Sequence, residues 1–313
     1  MKLEGIHHIT AITGDAPRNV DFYARVLGLR LVKKSVNQDD PTVYHLFYGD
    51  ERGDPGNDIT FFEYPGARPG RAGAGMIHRI VWRVGSEASI DFWADRLGEE
   101  GAEIRREDGA LVFADPEGLE HELIVSAVPD RPLIAYANEV PDKHALQGFD
   151  AVRAYTHDPE ASRALLEDAL AFEQRGDAEW EARGDQRGGR VVYTASAERG
   201  IPGAGTVHHV AWASTMDEHE QWRERVIEAG AHPTPVIDRF YFRSIYFREP
   251  SGVLFELATM GPGFDVDEPL ETLGEALSLP PDYQSLRDRL EGVLTPLPDT
   301  RQWRRAGREA PAG

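Results

Sequence analysis

Two tandem histidine pairs and one late glutamate are the residues of this sequence whose types and spacing could bind a metal ion. His7 and His8 lie in the opening stretch GIHHITAIT, and His208 and His209 lie in GTVHHVAWAS. Glu256 follows in the apolar stretch VLFELA. Two histidines and one carboxylate form a facial ligand set that suits non-haem Fe(II) and leaves coordination positions open. We therefore predict one metal site that combines a histidine from each pair with Glu256.

The alternative interpretation is that these histidines belong to the core. A single histidine on an apolar strand is more often a hydrogen-bonded core residue than a metal ligand. Two histidines at matching positions of separate strands reverse that preference. A glutamate in VLFELA without a partner would also be a costly unpaired buried charge. His45, in YHLFYGD, either contacts the ligands or simply lines a cavity.

The composition excludes several classes of protein. The chain has 313 residues, enough for two ordinary domains, and it contains no cysteine, so disulfides, thiolate metal sites and cysteine nucleophiles are excluded. A formal net charge of -20 argues against a nucleic-acid partner, because phosphates require a basic surface. Nothing resembles a signal peptide, and no apolar run approaches the ~20 residues of a membrane helix. We expect a cytoplasmic protein that binds neither nucleic acid nor membranes.

The histidine pairs open two of four repeated segments. Each segment begins with a strand, continues with a helix or a helical stretch, and ends in further strands, as sequence self-similarity and apolar spacing indicate. The first strands align on His8, Arg79, Ala151 and His209. The pattern predicts an α+β fold of four βαβββ modules. These modules span residues 1–66, 74–127, 148–197 and 204–262.

The modules and the stretches between them predict the domain organisation. We expect an N-terminal domain over residues 1–127 and a C-terminal domain over residues 148–262. Residues 128–147 contain prolines and no periodicity, which is typical of a linker. Residues 263–313 form a tail in which prolines isolate one amphipathic helix, Tyr283–Leu294, that packs on the body of the protein.

Five motifs make the chain similar to a known superfamily. They are HHIT at His7–Thr10, NVDFYARVLGLRLVKK at Asn19–Lys34, YHLFYGD at Tyr44–Asp50, VHH at Val207–His209 and DRFYFRSIYFREPSGVLFELA at Asp238–Ala258. The chain resembles the vicinal oxygen chelate superfamily, which contains glyoxalase I, bleomycin resistance proteins and extradiol dioxygenases. Within that superfamily it resembles the dioxygenases that cleave hydroquinone rings. The resemblance covers essentially the whole chain, and the last motif is the specific one.

The resemblance implies a fold, a reaction and a metal. The four modules would pair into two open barrel-like cups. One cup would hold Fe(II) through His8, His209 and Glu256, and Mn(II) stays an alternative because the same ligands suit both metals. The substrates would be O2 and an aromatic diol, most simply a hydroquinone or a substituted hydroquinone.

The resemblance also implies residues around the metal. Tyr246 would hydrogen-bond the substrate oxygen or donate a proton, and Arg239 would stabilise developing negative charge. Thr10, His7 and His208 would orient the distal hydroxyl of the ring. No position in this set departs from the pattern of the family.

Strand geometry supports the same choice of ligands. Side chains alternate along a strand, so one histidine of each pair faces a given side. A three-residue turn at 250–252 with Gly252 in the left-handed region would place Tyr246 opposite Glu256. The hydroxyl of Tyr246 would then point into the cup that contains the metal.

The alignment also predicts that one cup lacks a metal. Ligands from the first and fourth segments require these two segments to share a cup, so the second and third share the other. The ligand positions of that inner cup carry Arg79, Ala151 and Glu122. The Arg79 cation repels a metal ion and Ala151 offers no lone pair, so no metal is expected in the inner cup. Glu122 is expected to form an ion pair with Arg79 instead.

Two other functions stay open. A glyoxalase-type lyase or isomerase would normally use two carboxylate ligands, whereas the matching end of segment one is ITFF. A metal-free small-molecule-binding protein would not need three ligands in register. Proteins of this fold commonly pair surfaces, so a homo-oligomer is a further alternative.

Overall fold

The computed structural model describes residues 1–305, and four copies of a strand–helix–strand unit organise this part of the chain. The strands are β1 Ile6–Thr13, β2 Arg30–Val36, β3 Tyr44–Gly49, β4 Asp58–Glu63, β5 Met76–Val84, β6 Ile104–Glu107, β7 Ala110–Ala114, β8 Glu120–Val125, β9 Phe149–Thr156, β10 Glu173–Gly176, β11 Glu179–Arg183, β12 Gly188–Ala195, β13 Val207–Ser214, β14 Ile237–Asp238, β15 Phe242–Arg248 and β16 Leu254–Pro262. The α-helices are α1 Ala16–Val20, α2 Glu87–Glu99, α3 His219–Glu228 and α4 Arg287–Glu291.

The strands form two eight-stranded sheets. One has the order β14-β15-β16-β13-β1-β4-β3-β2 and therefore joins modules one and four. The other has the order β10-β11-β12-β9-β5-β8-β7-β6 and joins modules two and three. This confirms the predicted fold of four βαβββ modules and the predicted pairing of outer with outer and inner with inner. Each sheet therefore takes one module from each half of the chain.

The sheet of the outer modules curls into a cup. Phe47 of β3 and Tyr241, next to β15, have ring centroids only 6.5 Å apart, although four strands separate β3 from β15 in the sheet. We call this sheet the outer cup and the sheet of modules two and three the inner cup. Small apolar and aromatic side chains, among them Val32, Phe47 and Ala211, form a separate core inside the outer cup.

Helix α1 shows how local sequence sets the elements that flank the cup. It begins at Ala16, and the Asp15 side chain accepts a hydrogen bond from the Arg18 amide. It continues as a π-helix over Asp21–Val26. It ends before Gly28, which has a φ of +69°, the left-handed conformation that commonly ends a helix.

The third module and the tail differ from the sequence-based expectation. The repeat pattern predicts a helical stretch after the first strand of each module, and in the third module the structure has only a short π-helix at Leu165–Ala169. In the tail, a 3₁₀-helix at Pro281–Leu286 precedes α4, so the helical segment begins and ends slightly earlier than predicted. Leu290 and Leu294 are buried, as expected for a tail that packs on the body. Residues 306–313 of the predicted tail lie outside the described residues.

The segment between the second and third modules packs closely against the body. It contains no strand among residues 128–147 and has a 3₁₀-helix at Asp142–His144. Leu133, Val140 and Leu146 are nevertheless buried, so the segment is an ordered connection. Among residues 1–305, no helix has both the length and the apolar character needed to cross a bilayer.

Candidate metal centre

Two histidines and a glutamate meet on the inner face of the outer cup. Nε2 of His8 lies 3.3 Å from Nε2 of His209. Oε2 of Glu256 lies 3.1 Å from the His8 nitrogen and 2.9 Å from the His209 nitrogen. All three residues are buried, and within residues 1–305 theirs is the one cluster of three or more histidine or acidic ligand atoms with mutual distances within 4.8 Å.

Strand register brings these three residues together. Strands β1 and β13 run antiparallel, with Thr10 opposite His209 and His8 opposite Ala211. Strand β16 runs parallel to β13 and places Glu256 beside Ala211. The three ligand positions therefore lie on three adjacent strands, although His8 and His209 are 201 positions apart in the chain.

The closing hairpin has the predicted register. Tyr246 of β15 lies opposite Glu256 of β16, and Gly252 in the turn has a φ of +98°. A left-handed residue at this point lets the turn close in three residues, and glycine adopts that conformation at the lowest cost. The ring of Tyr246 contacts His209 edge to face at 5.6 Å.

His7 fixes the tautomer of His8. Nε2 of His7 lies 3.1 Å from the Thr259 carbonyl oxygen, which can only accept, so this nitrogen must carry the proton. Burial lowers the pKa of His7 to about 3, so its ring is neutral and its Nδ1 has a lone pair. His8 Nδ1, 2.9 Å away, must then donate to it. The remaining nitrogen, Nε2 of His8, directs its lone pair at the centre of the cluster.

His208 contacts His209 through the Nδ1 atoms of the two rings, as His7 contacts His8. Its Nδ1 lies 2.8 Å from Nδ1 of His209. His208 is exposed and His7 is buried, and neither lines the pocket beside the cluster. Irregularities in the pairing of β1 with β13 turn the backbone at both ends of the histidine segment. Both histidines thus contact the candidate ligands through Nδ1, the nitrogen that faces away from the cluster, as partners that orient a metal-binding imidazole do.

The electrostatics of the cluster suit a cation. Burial opposes ionisation of Glu256, but the facing His8 and His209 hold the pKa of its carboxyl well below the usual value. Burial lowers the pKa of His209, which keeps the ring neutral at neutral pH. Neither oxygen of Glu256 has a hydrogen-bond partner among residues 1–305. A buried carboxylate and converging imidazole nitrogens therefore fit a divalent metal ion.

A pocket opens beside the cluster. Tyr246 and Arg239 line one flank of it, and the guanidinium lies over the tyrosine ring at 5.4 Å. Arg239 also forms a two-bond ion pair with Asp39, at 3.0 and 3.2 Å. Burial and the nearby Glu256 raise the pKa of Tyr246, so its hydroxyl keeps its proton at neutral pH.

Thr10 lies behind the pocket wall. It is fully buried, and its Oγ1 is 2.8 Å from Oγ1 of Thr60 on the neighbouring strand. Thr60 was not predicted as a site residue. Thr60 in β4 pairs with Thr10 in β1, just as Glu256 in β16 pairs with Ala211 in β13. Alignment of the repeats could therefore have identified Thr60 as the counterpart of Glu256.

The inner cup carries an ion-pair cluster where the outer cup has its ligands. Arg79 bonds Glu107 and Glu120 at 2.9 Å each and Glu122 at 3.2 Å. Arg153 bonds Glu122 at 2.7 Å. The predicted pairing of Glu122 with Arg79 is therefore present.

Comparisons with known proteins agree with this geometry. The sequence profile of the Glyoxalase/Bleomycin resistance protein/Dioxygenase superfamily matches residues 5–123 and 148–257. The Bacillus subtilis protein MhqO, named as a candidate ring-cleaving dioxygenase, is 40% identical over 94% of this chain and 97% of its own length. Chlorohydroquinone/hydroquinone 1,2-dioxygenase of Sphingobium indicum is 32% identical over 92% of this chain and 95% of its own length.

Solved structures show the same fold. A crystal structure of a candidate dioxygenase from Bacillus subtilis has a TM-score of 0.88 and 39% identity over 95% of this chain and 98% of its own. Glyoxalase I from Zea mays has a TM-score of 0.60 and 16% identity over 87% of this chain and 97% of its own, which shows a shared fold alone. The chain belongs to the Glyoxalase/Bleomycin resistance protein/Dioxygenase superfamily.

Proposed function

We propose that this protein is a ring-cleaving dioxygenase for hydroquinones, with Fe(II) held by His8, His209 and Glu256. The observation that carries the proposal is the convergence of these three candidate ligands beside a pocket to which five Phe and Tyr side chains contribute. The similarity to a chlorohydroquinone/hydroquinone dioxygenase over nearly the full chain supports the substrate class. Mn(II) is the alternative metal.

The residues of the pocket have separate tasks. The metal would supply the redox chemistry between O2 and the diol, and both oxygen atoms enter the ring-opened product. Tyr246 hydrogen-bonds the reacting oxygen and donates a proton to it. Arg239 stabilises negative charge near the hydroxyl of Tyr246. Phe47, Phe62 and Phe242 hold the flat ring and exclude water.

The glyoxalase-type alternative is less well supported by the ligand set. The position of module one that corresponds to Glu256 carries Thr60, whose side chain has no carboxylate. A lyase or isomerase of that type would lack the second carboxylate that normally serves as base. In a metal-free binding protein, the cost of burying the Glu256 carboxylate beside two imidazoles would not be offset by metal binding.

We expect the enzyme to cleave para-diols in preference to catechol. The expected difference in kcat/KM is at least about tenfold, or about 1.4 kcal/mol of transition-state stabilisation. An oxygen electrode with hydroquinone, chlorohydroquinone and catechol measures it. A tenfold preference for catechol would place the enzyme among ordinary extradiol dioxygenases, and the absence of O2 uptake with any diol would refute the proposal.

Replacing Tyr246 with phenylalanine should separate metal binding from turnover. The ring of Tyr246 packs on His209, and a phenylalanine ring can keep this contact, so we expect full metal content. Loss of a positioned proton donor typically costs about a hundredfold in kcat. Metal analysis and steady-state kinetics of Tyr246→Phe test this, and an unchanged kcat would reduce Tyr246 to a packing residue.

A further inference from the structure

His45 is a polar residue of the pocket that the functions described above do not use. It lies on β3, two strands from β1 and thus roughly 10 Å from the strand of His8. Tyr246 and Arg239 lie on the opposite side of the cluster, on or next to β15. The pocket therefore has polar groups on two flanks with the metal ligands between them.

The ring of His45 is held in one orientation. It lies between Phe47 and Phe62, with ring centroids 3.9 and 4.4 Å away. Its Nε2 is 3.0 Å from Oγ1 of Thr60. Its Nδ1 has no hydrogen-bond partner among residues 1–305 and is not buried, so it is accessible from the pocket that the ring lines.

A chain of buried hydroxyls determines which nitrogen of His45 carries the proton. Among the described residues, Thr10 Oγ1 has Thr60 Oγ1 as its side-chain partner, so its proton must go to Thr60 or remain without an acceptor. Thr60 then donates its own proton to Nε2 of His45. The reverse direction would leave a buried Thr10 hydroxyl proton without an acceptor, which is costly. The neutral imidazole therefore has an N–H at Nδ1, facing the pocket.

We infer that His45 donates a hydrogen bond from Nδ1 to the distal oxygen of a para-diol, and that His45 thereby selects the substrate. The inference rests on the proposed function. A ring bound through one oxygen near Tyr246 and the metal ligands presents its second oxygen across the ring, towards the flank that carries His45. Thr10 and Thr60 act through His45, because they set its tautomer.

The test compares binding of hydroquinone and phenol to the metal-loaded protein without oxygen. Phenol lacks the distal oxygen. The ratio of the Kd of phenol to the Kd of hydroquinone therefore measures the contribution of the hydrogen bond from His45 to that oxygen. A net hydrogen bond is worth about 1 kcal/mol, which corresponds to a Kd ratio of about five to ten in the wild type. Calorimetry measures both values.

His45→Phe keeps an aromatic ring between Phe47 and Phe62 and removes both nitrogens. We expect its Kd ratio to fall to about one. Thr60→Val keeps the imidazole but removes the group that sets its tautomer, and we expect an intermediate ratio. His78→Phe is the matched control, because His78 is a partly buried histidine stacked on Tyr155 at 3.8 Å in the inner cup. Its ratio should equal that of the wild type.

The outcomes separate this inference from the proposed function. A wild-type ratio near one, or an unchanged ratio in folded His45→Phe, overturns the role of His45. If His45→Phe does not fold, an unchanged ratio in Thr60→Val overturns it. Failure of the wild type to consume O2 with hydroquinone refutes the proposed reaction, while a ratio that depends on His45 still supports the binding contact.

Discussion

Replacing His209 or Glu256 with alanine is expected to abolish metal retention and ring cleavage together while the protein stays folded. Each residue is one of the three proposed protein ligands, and the two that remain would hold a divalent metal poorly. The fold should persist, because Glu256→Ala removes a buried charge. Metal analysis after dialysis, circular dichroism and O2 uptake give the three measurements.

A matched substitution shows whether the loss is specific. His219 is a buried histidine on α3, and its Nδ1 is 2.8 Å from Ser214 Oγ. His219→Ala removes a buried imidazole of the same size, yet we expect it to keep the metal content of the wild type. Full metal content in His209→Ala or Glu256→Ala would show that the proposed ligand is wrong.

The purified and reconstituted protein is expected to bind one equivalent of metal per chain. The outer cup has the three proposed ligands, whereas Arg79 and its partners Glu107, Glu120 and Glu122 fill the corresponding part of the inner cup. A guanidinium at a ligand position repels a divalent cation. The metal-to-protein ratio should therefore approach one in the wild type and fall near zero in His8→Ala.

The inner cup provides the control for this stoichiometry. Glu122→Gln removes a carboxylate from the position that corresponds to Glu256, and we expect it to leave the metal content at one equivalent. Two equivalents in the wild type, or one equivalent that persists in His8→Ala, would contradict the assignment of the metal to the outer cup.

The repeat pattern made the arrangement of the candidate site predictable from sequence. His8 and His209 align at the start of two modules, and the hairpin that brings Tyr246 opposite Glu256 follows from a turn with glycine at its left-handed position. The pairing of outer with outer modules followed because the ligands had to share a cup. Such inferences succeed because strand alternation and turn geometry are local properties.

Features that depend on tertiary contacts could not be predicted in the same way. The role of His7 depends on the Thr259 carbonyl, which a distant strand brings within 3.1 Å. Strand β10, EQRG, has no apolar side chain that would mark it as a strand in the sequence. The relay from Thr10 through Thr60 to His45 requires the register of three strands.

The nesting of the inner modules within the outer ones orders events during synthesis. The inner sheet needs no residue beyond β12, which ends at Ala195, so it can close while the chain is still being made. Strand β1 must wait for β13 and β16, because its antiparallel partner and the carboxylate ligand emerge late. The inner sheet can therefore be complete before all three residues of the proposed ligand set have been made. A metal held by His8, His209 and Glu256 could meet all three residues only after residue 256 has been translated.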